Sequence, residues 1–227
     1  MKRKLLLVSA GLTALVLTLL AVYLMPFSQT TEFVESDFRH DLGYVKELDT
    51  PPVMSQETGF TCAIVSMAII ANSLGVETTE QGLLSDLGLL DRTTGLLPNE
   101  YLTAVNQVLE PLSYSVSMVN PTSQAEILNV ISDSLENNLP LVMFYAAPDD
   151  WNPPHYNTHF AVVYGIDMKD GIVKISNPYG YLQELSFAEL YDGLDFTSYA
   201  AEPFAFRLAR KVGMVHNNTL FIFEQVK

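Results

Sequence analysis

The sequence predicts an α+β domain, with helices in the earlier half of the chain after residue 27 and antiparallel strands in the later half. Three observations carry this. Apolar spacing and capping residues between positions 62 and 136 are helical. From residue 139 onward, short runs rich in β-branched and aromatic residues are bounded by Gly, Pro and Asp. Helices and strands fall in separate blocks, which is not the alternation of a parallel βαβ sheet.

The first element is an apolar span. Lys2, Arg3 and Lys4 precede the uncharged run 5–24, and a helix of that length reaches about 30 Å, a bilayer core. A cleavable signal peptide has a shorter apolar core, about 7–15 residues, and a small-residue cleavage site. Here "VYLMPFSQ" offers bulky residues instead. Residues 1–27 are therefore expected to be a cytoplasmic basic tip and an uncleaved, single-pass transmembrane signal anchor. The positive-inside rule then puts the rest outside the cytoplasm, at the cell membrane. Residues 28–49 are acidic and weakly periodic and read as a stalk, leaving 50–227 as the domain.

Within that domain Pro51 and Pro52 forbid a helix, so the chain to Phe60 is extended or looped. Residues 62–74 are apolar on every side, and Gly75 follows as a C-terminal cap. Such a helix belongs at the centre of a core. Further helices are expected at 79–87, 98–108 and 124–136, the last with a capping box of Ser123 and Glu126. "LPLVMFYAA", "HFAVVYGID" and "GIVKISNP" read as strands, the last two joined as a hairpin through "MKDG". "FAFRLARKVGM" reads as a helix and "TLFIFEQV" as a closing strand.

Composition narrows the function. Of 227 residues, 48% are hydrophobic, ample for a core, and the net charge is −14. Apart from the three cations at the start, 9 basic residues face 26 acidic ones. Such a body is repelled by nucleic acid and anionic lipid, so no nucleic-acid partner is expected. One cysteine and no paired-histidine spacing disfavour zinc, Asp149, Asp150 and Asp167 make no calcium loop, and no phosphate-binding G-x-x-x-x-G-K-[ST] occurs. No cofactor is expected.

The lone Cys62 is either a small buried hydrophobe or a nucleophile at a helix start. Outside the cytoplasm cysteines tend to pair, and an unpaired one suggests a reactive thiol or an intermolecular bridge. Amides at the helix start favour a thiolate and would lower its pKa to somewhere in about 3.5–7.5. Gln56 lies in the loop leading to that helix, where a side-chain amide with the Cys62 N–H can bind an oxyanion. His159 begins a strand, and Asn177 ends its hairpin partner. There the Asn177 oxygen can hold the imidazole in the tautomer that faces the thiol. Trp151 and Tyr156, in "PDDWNPPHYN", are candidate cleft residues, while His40, His155 and His216 lie in segments with no such placement.

Gln56, Cys62, His159 and Asn177 in that order resemble the pattern of papain-like cysteine peptidases. "QETGFTCAIVSMAIIANSLG" and "HFAVVYGID…VKISNPYG" are most similar to the bacteriocin-leader-peptidase-like branch, cysteine peptidase family thirty-nine, over about 53–190. The resemblance implies a helical lobe, with the cysteine at the N-terminus of a central helix, packed on an antiparallel sheet. It also implies Cys62 as nucleophile, His159 as base, Asn177 as orienter and Gln56 as oxyanion donor, acting on a peptide or protein substrate through a thioester. The family often has Asp-Cys-Gly where this chain has Thr61-Cys62-Ala63, and its bacteriocin-processing members have Asp at the place of Asn177. With no ATPase loop, a stand-alone, membrane-anchored bacterial form is expected. A catalytically silent peptide-binding domain of the same fold, or a thioester-using acyltransferase, remain the alternatives, and the oligomeric state is not indicated.

If 1–27 is an uncleaved anchor, a C-terminal reporter that works only outside the cytoplasm will be active. The mature chain will then begin at Met1 or Lys2. A reporter active only inside the cytoplasm contradicts the orientation.

Overall fold

The structure, a computed structural model, describes residues 13–18, 20–21, 30–150, 152, 155–196 and 203–226. Two compact units emerge: 30–200 with 217–227, and 1–29 with 201–216.

The larger unit is built on one seven-stranded antiparallel sheet, β1 (Val45–Glu47), β2 (Tyr114–Val119), β3 (Leu141–Pro148), β4 (Tyr156–Asp167), β5 (Ile172–Asn177), β6 (Tyr181–Ser186) and β7 (Thr219–Gln225). The spatial order is β2-β7-β3-β4-β5-β6. β4 is long enough to pair with β3 along its first part, from Tyr156 opposite Pro148 to Val163 opposite Leu141. It then pairs with β1 at its far end, where Asp167 faces Val45. The β4–β5 register shifts between Val163 and Gly165, a bulge inside the expected hairpin.

Helices cover both faces. α1 (Cys62–Ser73) is buried at every position from Cys62 to Ala71, as a helix without a polar face must be. Its only hydroxyl in that run, Ser66, donates to Cys62 O at 2.8 Å and so buries no unpaired donor. Gly75, at φ +85°, supplies the left-handed turn that ends it. α2 (Glu80–Asp86) and α3 (Pro98–Leu109) pack beside α1. Tyr101 of α3 meets Phe160 and Phe221 on the sheet, with ring centroids 4.7 and 4.5 Å apart. On the other face α4 (Gln124–Glu136) and α5 (Phe187–Leu194) cover the alternate residues Leu141, Met143, Tyr145 and Ala147 with Ile127, Leu128, Ile131, Leu190 and Leu194.

The sequence-based elements differ from the structure at the edges. β2 and β6 are edge strands with mixed burial and lack the apolar run that marks β3, β4 and β5. β4 begins three residues before His159. From Thr30 onward, the segment expected as a stalk groups with the larger unit. Its acidic composition hid four anchors: Phe38 is buried, and Phe33, Tyr44 and Leu48 pack against the same core. Backbone groups complete the attachment. Arg39 N donates to Asn129 Oδ1 at 2.8 Å, and Asn129 Nδ2 donates to Asp37 O at 2.9 Å. Residues 201–216, expected within the domain, group instead with the N-terminal residues.

In the smaller unit, residues 13–18 and 20–21 are helical, and α6 (Phe204–Lys211) is the expected late helix. Most of the expected anchor, 5–24, lies outside the described residues. Among the described residues no helix is long and apolar enough to cross a membrane.

Asn129 satisfies two backbone groups of the 37–39 segment at once. Asn129→Ala should therefore lower unfolding free energy by about 1–3 kcal/mol, the cost of stranding such groups. Amide exchange at Arg39 should accelerate with it. An unchanged denaturation midpoint would contradict this attachment.

Candidate active site

Each predicted polar residue is delivered by a different piece of backbone. Cys62 is the first residue of α1 and is 6% exposed. His159 lies on β4 opposite Tyr145 of β3 and is 1% exposed. Asn177 ends β5 and is also buried. Gln56 is held in the preceding loop, where its N–H donates to Pro178 O at 2.7 Å. The turn after Asn177 thus carries the Gln56 loop, a connection that residue spacing does not reveal. Ser55 bridges Tyr179 in the same place, and Gly180 passes so close that a Cβ there would lie 3.0 Å from Ser55 Cβ.

The imidazole and the amide are joined. His159 Nε2 lies 2.9 Å from Asn177 Oδ1. Two further bonds fix which way that amide points: Asn177 Oδ1 accepts from Tyr179 N at 3.0 Å, and Asn177 Nδ2 donates to Gln183 Oε1 at 3.0 Å. Since the atom facing the ring is an acceptor, Nε2 carries the proton and Nδ1 keeps its lone pair. Tyr179 stacks on the imidazole, with centroids 4.4 Å apart and planes 13° apart, and Tyr145 meets it edge-on at 6.0 Å.

Cys62 reaches the same place. Its thiol lies near enough to the backbone of Phe160, the residue after His159, and to Tyr145 and Tyr179, the two rings that flank the imidazole, to interact with all three electrostatically. The arrangement therefore joins an imidazole to an orienting amide, with the thiol in the neighbourhood of the two rings that flank the imidazole.

Burial opposes the helix-start effect at Cys62. Burial pushes the Cys62 thiol up to about 11, although hydrogen bonds from Phe160, Ala63 and its own backbone pull the other way. The helix-start effect is present but desolvation exceeds it. Burial likewise pushes His159 down to about 4, against the Asn177 bond and the charges of Asp150 and Asp149. At neutral pH the resting pair is thiol and neutral imidazole.

Gln56 is buried, with Nε2 donating to Thr58 O at 2.8 Å and Oε1 left without a hydrogen-bond partner among the described residues. Tyr156, expected in a loop, is the exposed first residue of β4. Trp151 lies outside the described residues. His155 is exposed and its N–H donates to Asn152 O, apart from the buried group. Tyr145, Tyr179 and Gln183 were not singled out in the sequence. Tyr179 was discoverable, since it follows the Asn-Pro turn directly. Asp150 accepts from the Tyr181 hydroxyl at 2.7 Å, which ties the loop before β4 to β6. No cluster of His, Cys, Asp and Glu able to hold a metal occurs among the described residues.

Residues 48–198 match the Peptidase_C39 like family, a stretch that contains Gln56, Cys62, His159 and Asn177. The chain belongs to this family. No curated protein matches it. Among solved structures, a double glycine motif protease from an AMS/PCAT transporter, in complex with the leader peptide, is 12% identical with a TM-score of 0.50. That alignment covers 80% of this chain and 99% of the other. A structure described as a C39-like peptidase from Bacillus anthracis is 10% identical with a TM-score of 0.51, covering 81% and 100%. These likenesses establish the fold of the C39-like peptidase domain: mixed helices packed on a seven-stranded antiparallel sheet.

The buried imidazole gives a pH prediction. An unfolded histidine takes up a proton below about 6.5, whereas folded His159 resists until about 4. Its contribution to stability is complete above the higher value and is lost as pH falls toward the lower one. The interval corresponds to about 3 kcal/mol. The stability difference between the wild type and His159→Phe should therefore shift by up to that amount between pH 7 and pH 4, measured by urea unfolding. A difference independent of pH would contradict the buried neutral imidazole.

Proposed function

We propose that this C39-like domain is a cysteine peptidase that hydrolyses a peptide or related amide through a thioester on Cys62. It works outside the cytoplasm, tethered to the cell membrane by the N-terminal helix. The observation that carries the chemistry is the oriented His159–Asn177 pair beside the only thiol of the chain. A cysteine that served only as core filler would need no buried base with a fixed tautomer next to it.

The steps follow from the groups present. Cys62 Sγ attacks the carbonyl carbon while its proton moves to His159 Nδ1, so the neutral pair becomes charged only as the bond forms. Asn177 accepts from Nε2–H throughout and stabilises the imidazolium, as do the charges of Asp149 and Asp150. The developing oxyanion is met by the backbone N–H of Cys62 and the side-chain amide of Gln56. Nδ1 then gives its proton to the leaving amine as the C–N bond breaks. Water attacks the thioester, loses a proton to Nδ1, and Sγ recovers that proton as the S–C bond breaks. A peptide substrate is supported by the double glycine motif protease of the same fold, which binds a leader peptide.

Full-length protein incubated with a peptide library should release new peptide termini, read by mass spectrometry. Rapid quenching should trap a peptide mass on Cys62, and Cys62→Ser should abolish both. A trapped acyl group passed to an amine rather than to water would replace hydrolysis by transfer. The absence of both trapping and cleavage would contradict the enzyme reading.

Losing the Gln56 amide should slow amide cleavage by about a hundred- to a thousandfold, as loss of one oxyanion donor does elsewhere. Alkylation of Cys62 by iodoacetamide forms no oxyanion and should be nearly unchanged in Gln56→Ala. Equal losses in both reactions would assign Gln56 a structural role.

A further inference from the structure

Glu80 is a buried carboxylate that the chemistry above does not use. It is the first residue of α2, only 6% exposed, and its side chain faces the loop that joins Gln56 to Cys62. Oε2 accepts the N–H of Glu57 at 3.0 Å. The Thr61 hydroxyl, nearby, donates to Thr58 O at 3.2 Å, and Glu80 Oε1 has no hydrogen-bond partner among the described residues. Burial pushes the Glu80 pKa up and the Glu57 carboxylate adds to that, while the Thr61 hydroxyl and the Glu57 N–H oppose it. The next residue of α2 grips the same point, because Gln81 Nε2 donates to Glu57 Oε2 at 2.7 Å.

The position of these contacts is what gives them meaning. Glu57 N belongs to the peptide that leaves Gln56, and the peptide that enters Gln56 is held by Pro178 O. Thr61 immediately precedes Cys62 and makes no side-chain capping bond to α1. One buried carboxylate therefore holds the start of the 56–62 loop, at the peptide that follows Gln56, and that loop runs directly into the Cys62 N–H. A carboxylate is costly to bury, and the start of α2 offsets only part of that cost. An apolar side chain would fill the same space without it.

We propose that Glu80 is a positioning residue that holds the Gln56 side-chain amide and the Cys62 N–H at the separation an oxyanion requires. This rests on the oxyanion role of Gln56 given under Proposed function. Glu80 touches no reacting atom; it acts through the loop.

The test compares two reactions of Cys62 in the full-length protein. Burst acylation by p-nitrophenyl acetate passes through an oxyanion, whereas alkylation by iodoacetamide does not. Glu80→Ala should slow acylation about ten- to a hundredfold while alkylation stays within about twofold. Glu80→Gln keeps an acceptor for the Glu57 N–H and should recover acylation to within about threefold of wild type. The double variant Gln56→Ala/Glu80→Ala should acylate no more than about twofold slower than Gln56→Ala alone, because both changes remove one device. Equal slowing of both reactions, or multiplying losses in the double variant, would overturn the proposal. Slowed acylation in Gln56→Ala with acylation at the wild-type rate in Glu80→Ala rejects Glu80 alone, whereas normal acylation in Gln56→Ala rejects the oxyanion reading beneath it. Should Glu80→Ala fail to fold, Glu80→Asp decides: one methylene shorter, it should acylate at least about fivefold slower than Glu80→Gln, and equal rates would overturn the proposal.

Discussion

The hydrogen bond between His159 Nε2 and Asn177 Oδ1 is the constraint on which the rest of the site depends. It exists because β4 and β5 pair as an antiparallel hairpin, so that a residue near the start of one lies by the end of the other. It points in one sense because the amide of Asn177 is itself held, at its oxygen by Tyr179 N and at its nitrogen by Gln183. From that follows the location of the imidazole proton, and so which ring nitrogen is a base. The sheet supplies rigidity, the turn after Asn177 supplies the Gln56 loop, and α1 brings the thiol to the same point.

Burial governs the electrostatics. A helix start lowers a thiol pKa by a limited amount, because the partial charge is shared among several amides and acts over one turn. Removing a thiolate from water costs more, and here the thiol and the imidazole are both taken out of water. Desolvation moves the two groups apart, up for the acid and down for the base, so each stays neutral at rest. In the proposed reaction charge develops only during attack, with Asn177 already bonded to the imidazole that takes up the proton. The acidic residues Asp149 and Asp150 favour the imidazolium form and lower the cost of that step.

Much of this was legible in the sequence because the responsible signals are local. α1 is visible as an apolar run with Gly75 after it, and α4 spans the expected residues, with the Ser123 side chain accepting the Glu126 N–H while the Glu126 carboxylate takes the N–H of Thr122. Of Gln56, Cys62, His159 and Asn177, singled out by their order, the fold joins His159 to Asn177 and ties the Gln56 backbone to the turn after Asn177. What was missed is long-range or polar. β2 and β6 are edge strands whose alternation is too weak to separate from a loop. The 30–48 segment looks like an acidic tether until Asn129 and Gln124, about 90 residues later, are seen to bind its backbone. Glu80 carries no motif, and only the folded loop shows what it holds. Helix position is written in the sequence and burial of one sulfur is not, so the upward push on the Cys62 thiol emerges only with the fold.

The central claim is that a neutral imidazole with its proton on Nε2 stands beside a neutral thiol. Nitrogen-15 NMR of His159 in the full-length protein, recorded at pH 7, tests it most directly, because protonated and bare ring nitrogens resonate far apart. The account predicts a protonated Nε2 and a bare Nδ1, with the proton no longer confined to Nε2 in Asn177→Ala. Two protonated nitrogens in the wild type, the signature of an imidazolium paired with a thiolate, would contradict it.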